Sequence, residues 1–148
     1  MGLDMYAYVA AKAGAQAEFH KDAHWDKEKN AKVNPNATKP REIAYWRKHP
    51  NLHGWMERLW ERKGYPRVDI KNYAPDEDPD FNNVELELTW EDLDQLEQDI
   101  RNKKLPDTEG FFFGNNADDY YREQDLKFVR DAKAEVFLGL KVFYDSSW

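Results

Sequence analysis

Residues 40–64 read PREIAYWRKHPNLHGWMERLWERKG, and the architecture follows from how this stretch is divided. Tyr45, Leu52, Met56 and Leu59 fall at helical spacing, which makes this the strongest amphipathic-helix signal in the chain. Thr38 can cap the helix, Pro40 suits its first turn and Gly64 can end it. Pro50 interrupts the pattern, because its ring removes one backbone hydrogen bond and crowds the preceding turn. The stretch is therefore expected to be a helix that Pro50 either kinks or splits in two.

Upstream of it, residues 11–39 are polar and irregular and close on the turn-forming NPNATKP. They read as an excursion from the core, with a short helix around 20–29. Before the excursion, residues 3–9 (LDMYAYV) alternate and are rich in rings, which predicts a strand. Downstream, 65–83 is a loop rich in Pro and Asp. VELEL, residues 84–88, alternates with Val84, Leu86 and Leu88 inward. TWEDLDQLEQDIRNKK predicts a second helix, with Thr89 as N-cap, Asp92 closing a capping box, and Leu93, Leu96 and Ile100 on one face. GFFFG at 110–114 reads as a strand, residues 115–139 as a third helix and LKVFYDSSW as the last strand. The expected fold is α+β: one domain over 1–148, with a small, mainly antiparallel sheet of about four strands and three main helices.

Composition narrows the function classes. The chain has 148 residues and a formal net charge of -7, with 34% charged and 15% aromatic residues. The acidic balance disfavours sequence-independent binding of nucleic acid, which needs a basic face. The aromatic share supplies a core built from rings. Without cysteine there is neither a disulfide framework nor thiolate chemistry. The N-terminal MGLDMYAYVA lacks a basic leader and is too short to span a bilayer. A cytoplasmic protein without membrane partners is expected.

Three aromatic segments carry candidate chemistry. Tyr45, Trp46, Arg47 and Lys48 set two cations beside two flat rings, and on an unbroken helix Trp46 and His53 would share a face. Rings can stack on a base while cations meet phosphate or carboxylate. Phe112 and Gly114 lie where the GFFFG strand ends, and Tyr144, Ser146, Ser147 and Trp148 offer hydroxyls and an indole. These eleven residues are the expected ligand-binding set. The ordinary alternative for each segment is a helix or strand that buries its rings and solvates its charges.

Other patterns are weaker. His20, His24 and Glu28 have the i, i+4, i+8 spacing of a metal-binding helix face, but the surrounding charges suit a solvated helix. Asp76, Asp78, Asp80 and Glu87 match four positions of a calcium loop, yet Phe81 stands where Gly is required. Ser146 or Ser147 with His53 and Glu42 can be drawn as a triad, with no strained serine elbow to support it. No metal, cofactor or catalytic residue is expected.

The motifs AYWRK, LHGW, LPDTEGFFFG and FYDSSW, with the opening MGLDMY, resemble a family of small bacteriophage and prophage proteins. The likeness covers most of the chain outside 11–39 and the acidic loop. That family often carries the label phosphoglycerate kinase. This chain is too short for two nucleotide-binding lobes and has no glycine-rich phosphate loop followed by lysine. The resemblance thus implies a phage origin and an infected-host cytoplasm rather than that activity. The ring-and-cation chemistry of the three segments, without a convincing nucleophile, base or metal cluster, leads to the expectation of a non-catalytic protein that sequesters a small anionic nucleotide-like ligand, a signal of host defence by analogy with phage proteins of this size. The alternatives are an acidic, protein-binding inhibitor of a host defence complex and a small nucleotide-processing enzyme. A site shared between subunits of a homo-oligomer is compatible with the first.

Overall fold

The computed structural model describes residues 2–66, 81–106 and 118–148. The elements are β1 (Asp4–Ala10), α1 (Ala15–Lys21), β2 (His24–Asp26), β3 (Ala31–Val33), β4 (Arg41–Arg47), α2 (Pro50–Arg62), β5 (Leu86–Leu88), α3 (Trp90–Arg101), α4 (Asp118–Phe137) and β6 (Lys141–Ser147). Four strands form an antiparallel sheet in the order β4-β1-β6-β5, and β2 and β3 form a separate hairpin. The α+β class and the antiparallel sheet agree with the sequence reading. GFFFG and the acidic loop lie outside the described residues.

The segment 40–64 is corrected. Pro50 splits it into a strand and a helix, not into two helices. Proline disfavours helical backbone at the residue before it, and His49 accordingly sits at φ -109°, ψ 78°. Lys48 turns through φ 57° and donates its N–H to the Leu3 carbonyl at 2.9 Å. Residues 41–47, cut off from the helix, pair with β1 instead. Pro50 opens α2, where its missing N–H costs nothing. Gly64, at φ 88°, ends it, with Gly64 N–H on Glu61 O and Tyr65 N–H on Trp60 O.

The excursion is also corrected in detail. Its helix lies at Ala15–Lys21 and not at 20–29. The Asp26 carboxylate accepts from the N–H groups of Glu28 and Lys29 at 2.9 and 3.2 Å. That local turn competes with a helix and folds 24–33 into a hairpin. Asn34 ties the hairpin's exit back to α1 by donating to Phe19 O at 2.9 Å.

One face of the sheet carries the core. Met5, Ala7 and Val9 of β1 and Val142 and Tyr144 of β6 pack with Leu52, Met56 and Leu59 of α2, Leu93, Leu96 and Ile100 of α3, and Phe128, Val129 and Ala132 of α4. The capping box of α3 is present as expected: Asp92 N–H donates to Thr89 Oγ1 and Thr89 N–H to the Asp92 carboxylate. Side chains cap carbonyls on both sheet edges. The Tyr45 and Arg47 carbonyls of β4 accept from Gln124 and Tyr121 of α4, and the Glu87 carbonyl of β5 accepts from Lys63. Among the described residues no helix is long and apolar enough to cross a membrane.

Candidate functional site

The second face of the sheet holds the polar residues. Strand alternation sends Asp4, Tyr6 and Tyr8 of β1 away from the helices. Their cross-strand partners on β6 are Ser147, Asp145 and Phe143. On the other side, Tyr6 faces Tyr45 of β4 with ring centroids 5.3 Å apart. Tyr8 and Phe143 lie 5.7 Å apart and are buried with Ala10 beneath the excursion.

A β-bulge decides which β4 residue joins this face. Strict alternation in REIAYWR would put Ile43 beside Tyr45 and turn Glu42 toward the helices. The register shifts between Ala7 and Tyr8, so that Tyr8 pairs with Glu42 and Ile43 is the extra residue. Ile43 then packs against the core, and Glu42 reaches the open face. Bulges commonly re-aim a side chain in this way beside a site.

The excursion roofs the face and encloses a cavity of about 400 Å³. Tyr6 and Tyr8 form its floor, Glu42 and Asp145 supply carboxyl groups, and Lys39 and His20 come from the excursion. Glu85 pins the roof, accepting from Tyr8 Oη and from the Gly14 N–H, each at 2.8 Å. Asp145 accepts from the adjacent Ser146 N–H at 2.7 Å. It forms no ion pair among the described residues. Burial, helped slightly by the Glu85 charge, pushes its carboxyl up to about 7, against the Ser146 hydrogen bond. Burial and then Glu85 and Asp145 raise the Tyr8 phenol, so it stays a neutral donor. Burial, followed by Lys32 and Lys39, lowers His20, which favours its neutral form.

The residues expected from the sequence divide between the two faces. Ser146 borders the cavity but pairs with core-facing Met5 and donates its buried hydroxyl to the Phe81 carbonyl at 3.3 Å, whereas Ser147 lines the cavity. Tyr45 continues its aromatic floor, and Arg47, with its side chain 61% exposed, stands at the end of the same face 3.8 Å from Asp4. Lys48 is exposed at the turn after β4. Trp46, His53 and Tyr144 are buried on the helix side of the sheet, away from the cavity. Trp46 Nε1 donates to Asp125 at 2.8 Å, and His53 Nδ1 lies 2.7 Å from Tyr144 Oη. Trp148 meets His53 edge-on at 6.0 Å and exchanges hydrogen bonds with Asn82. The LHGW and FYDSSW motifs do converge, but inside the core. Phe112 and Gly114 lie outside the described residues.

The drawn triad does not assemble, because Glu42 is on the open face while His53 is buried behind the sheet. The metal-binding helix face does not form either, since His20 ends α1 and His24 begins β2. Sequence reasoning passed over Tyr6, Tyr8, Asp145 and Lys39. The readable signal was MYAYVA, two tyrosines two residues apart on a strand, opposite a strand with Asp145 in alternate register. Comparison with protein-family models, curated proteins and solved structures returned no match.

Proposed function

We propose that this chain binds a small nucleotide-like ligand in the cavity between the open sheet face and the excursion. The observation that carries the reading is Asp145, a largely buried carboxyl without a cationic partner among the described residues, set beside a floor of tyrosines. A fold gains nothing by desolvating such a group; a ligand that donates hydrogen bonds to it does. Flat rings suit a base, and the Asp145 and Glu42 carboxyls suit its amino and ring N–H groups or ribose hydroxyls. Lys39 and neutral His20 suit a phosphate. A volume of about 400 Å³ lies within the usual range for small-ligand pockets. That the ligand is a host anti-phage signal is an analogy with phage proteins of this size, drawn from the motif resemblance.

Thermal shift against nucleosides, nucleotides and cyclic nucleotides tests this. A ligand at one hundred times its dissociation constant should add about 2.7 kcal/mol of stability. Tyr6→Ala and Asp145→Asn should each weaken that ligand at least about tenfold. If no nucleotide stabilises the parent, or both variants bind as it does, the cavity is not the site.

A second reading rests on the same carboxyl. An acid brought close to neutrality in a cavity is suited to proton transfer, which would make the chain a small nucleotide-processing enzyme with Asp145 as general acid–base. Chromatography of the bound nucleotide separates the two. Binding alone returns the ligand intact, whereas turnover yields a product that Asp145→Asn fails to form.

A further inference from the structure

On the far side of the molecule from this cavity, α2 and α3 enclose a second depression, of about 430 Å³. Arg58 and Arg62 project from α2 one turn apart, and Lys104 follows the end of α3. Trp55, Gln95, Asp99 and Pro106 complete the wall. None of the three cations forms an ion pair among the described residues. Elsewhere on the helices, Lys63, Arg101, Lys127 and Lys133 each meet a carboxylate.

Asp99 carries one negative charge into the wall but forms no ion pair with any of the three cations among the described residues. Its oxygens accept from Trp55 Nε1 at 2.8 Å and from Gln95 Nε2 at 3.0 Å, two neutral donors on different helices. These hydrogen bonds hold the carboxylate in the wall. Arg58 and Arg62 repel each other at i, i+4 spacing, an arrangement that weakens a helix unless an anion lies between them. Lys104 approaches the same space from the other helix. A solvated basic patch accounts for exposed cations but not for three that converge on one depression in a chain of net charge -7.

We infer that the depression formed by Trp55, Arg58, Arg62 and Lys104 is a phosphoryl-binding site for a small, multiply charged phosphate compound. Guanidinium groups offer planar, bidentate donors to phosphate oxygens, and two of them with an ammonium match a dianion or a larger charge. Inorganic pyrophosphate is the probe. It has no base, so it tests this site independently of the tyrosine-floored cavity.

The Trp55 indole N–H, assigned in a ¹H–¹⁵N spectrum by its loss in Trp55→Phe, reports on the wall. Titration with pyrophosphate at low ionic strength should shift it saturably. In the Arg58→Gln/Arg62→Gln double variant the affinity should fall at least about tenfold. The melting temperature of that variant should stay near the parent's, because both side chains are exposed. Arg101→Gln, which removes a cation paired with Glu97 outside the depression, should titrate as the parent does. The inference is overturned if no saturable shift occurs or if the double variant binds as the parent does. It is equally overturned if Arg101→Gln loses as much affinity, which would indicate diffuse charge. A shift produced by poly-glutamate and not by pyrophosphate would replace it with an acidic protein partner.

Discussion

Asp125 accepts from Trp46 Nε1 at 2.8 Å and lies 2.7 Å from His49 Nε2, and the three residues are 0–1% exposed. They join the end of β4, the turn before α2 and the middle of α4. Tyr121 stacks on His49 at 4.7 Å and donates to the Arg47 carbonyl. A buried carboxylate is tolerable only while its donors are present, and their loss is equally costly from the other side. Asp125→Ala should therefore destabilise the fold by about 3–5 kcal/mol in urea unfolding. A loss below 1 kcal/mol would mean that the cluster is dispensable. Arg47→Ala, on the exposed end of the other face, should leave the unfolding midpoint nearly unchanged. The sequence marks AYWRK as important without separating these roles. Trp46 and Arg47 are neighbours, yet one ends in the core and the other in solvent. Asp125, the partner that makes the difference, is 79 residues away.

At the scale of elements, α3 was legible and β4 was not. The α3 signals are local: a capping box at Thr89 and Asp92, then Leu93, Leu96 and Ile100 on one face. Thr89→Ala removes an acceptor from the first turn and should cost about 1 kcal/mol. In a chain of this length that lowers the melting temperature by about 3 °C. β4 has no comparable local signal. Its residues fit a helix by spacing, and only pairing with β1 and the backbone constraint at Pro50 make it a strand. The bulge yields a further test. Ile43→Glu puts a charge where Ile43 packs on the core and should destabilise by about 1–3 kcal/mol. Glu42→Gln, on the open face, should not. If the two substitutions cost the same, Ile43 is not the residue turned inward.

For the whole molecule, two buried groups titrate with opposite consequences. Burial lowers His53 from 6.5 to about 4. Between those values the unfolded chain binds more protons, so the His53 contribution is complete above pH 6.5 and fades as pH falls toward 4. Burial raises Asp145 from 3.8 to about 7. There the folded chain binds more protons, so its contribution is complete below pH 4 and is lost as pH rises toward 7. From pH 4 to 6.5 the two slopes oppose each other. Asp145→Asn removes one of them and keeps an acceptor for the Ser146 N–H. The variant should be more stable than the parent at pH 7.5, by on the order of 1–3 kcal/mol after solvent screening of a partly exposed group. The gain should shrink at pH 4.5. A stability difference independent of pH between those two points would show that Asp145 is not held up by burial. Greater stability combined with lost ligand binding is the trade expected where a fold retains an unfavourable group for function.

The sequence by itself determined the elements whose information is local. These are the alternating strand at 3–9, the body of α2 after Pro50, the capped α3, a long helix inside 115–139 and the closing strand, together an antiparallel α+β arrangement. Periodicity, caps and turn residues act over one or two turns of chain, so a single sequence displays them. Tertiary structure alone decided the rest. It made 41–47 a strand, exchanged Glu42 for Ile43 at the bulge, sent Trp46, His53 and Tyr144 into the core, and gathered Tyr6, Tyr8, Glu42 and Asp145 around one cavity. The physical reason is register. A strand has two faces, and which one is buried depends on where its partner, often more than thirty residues away, comes to lie.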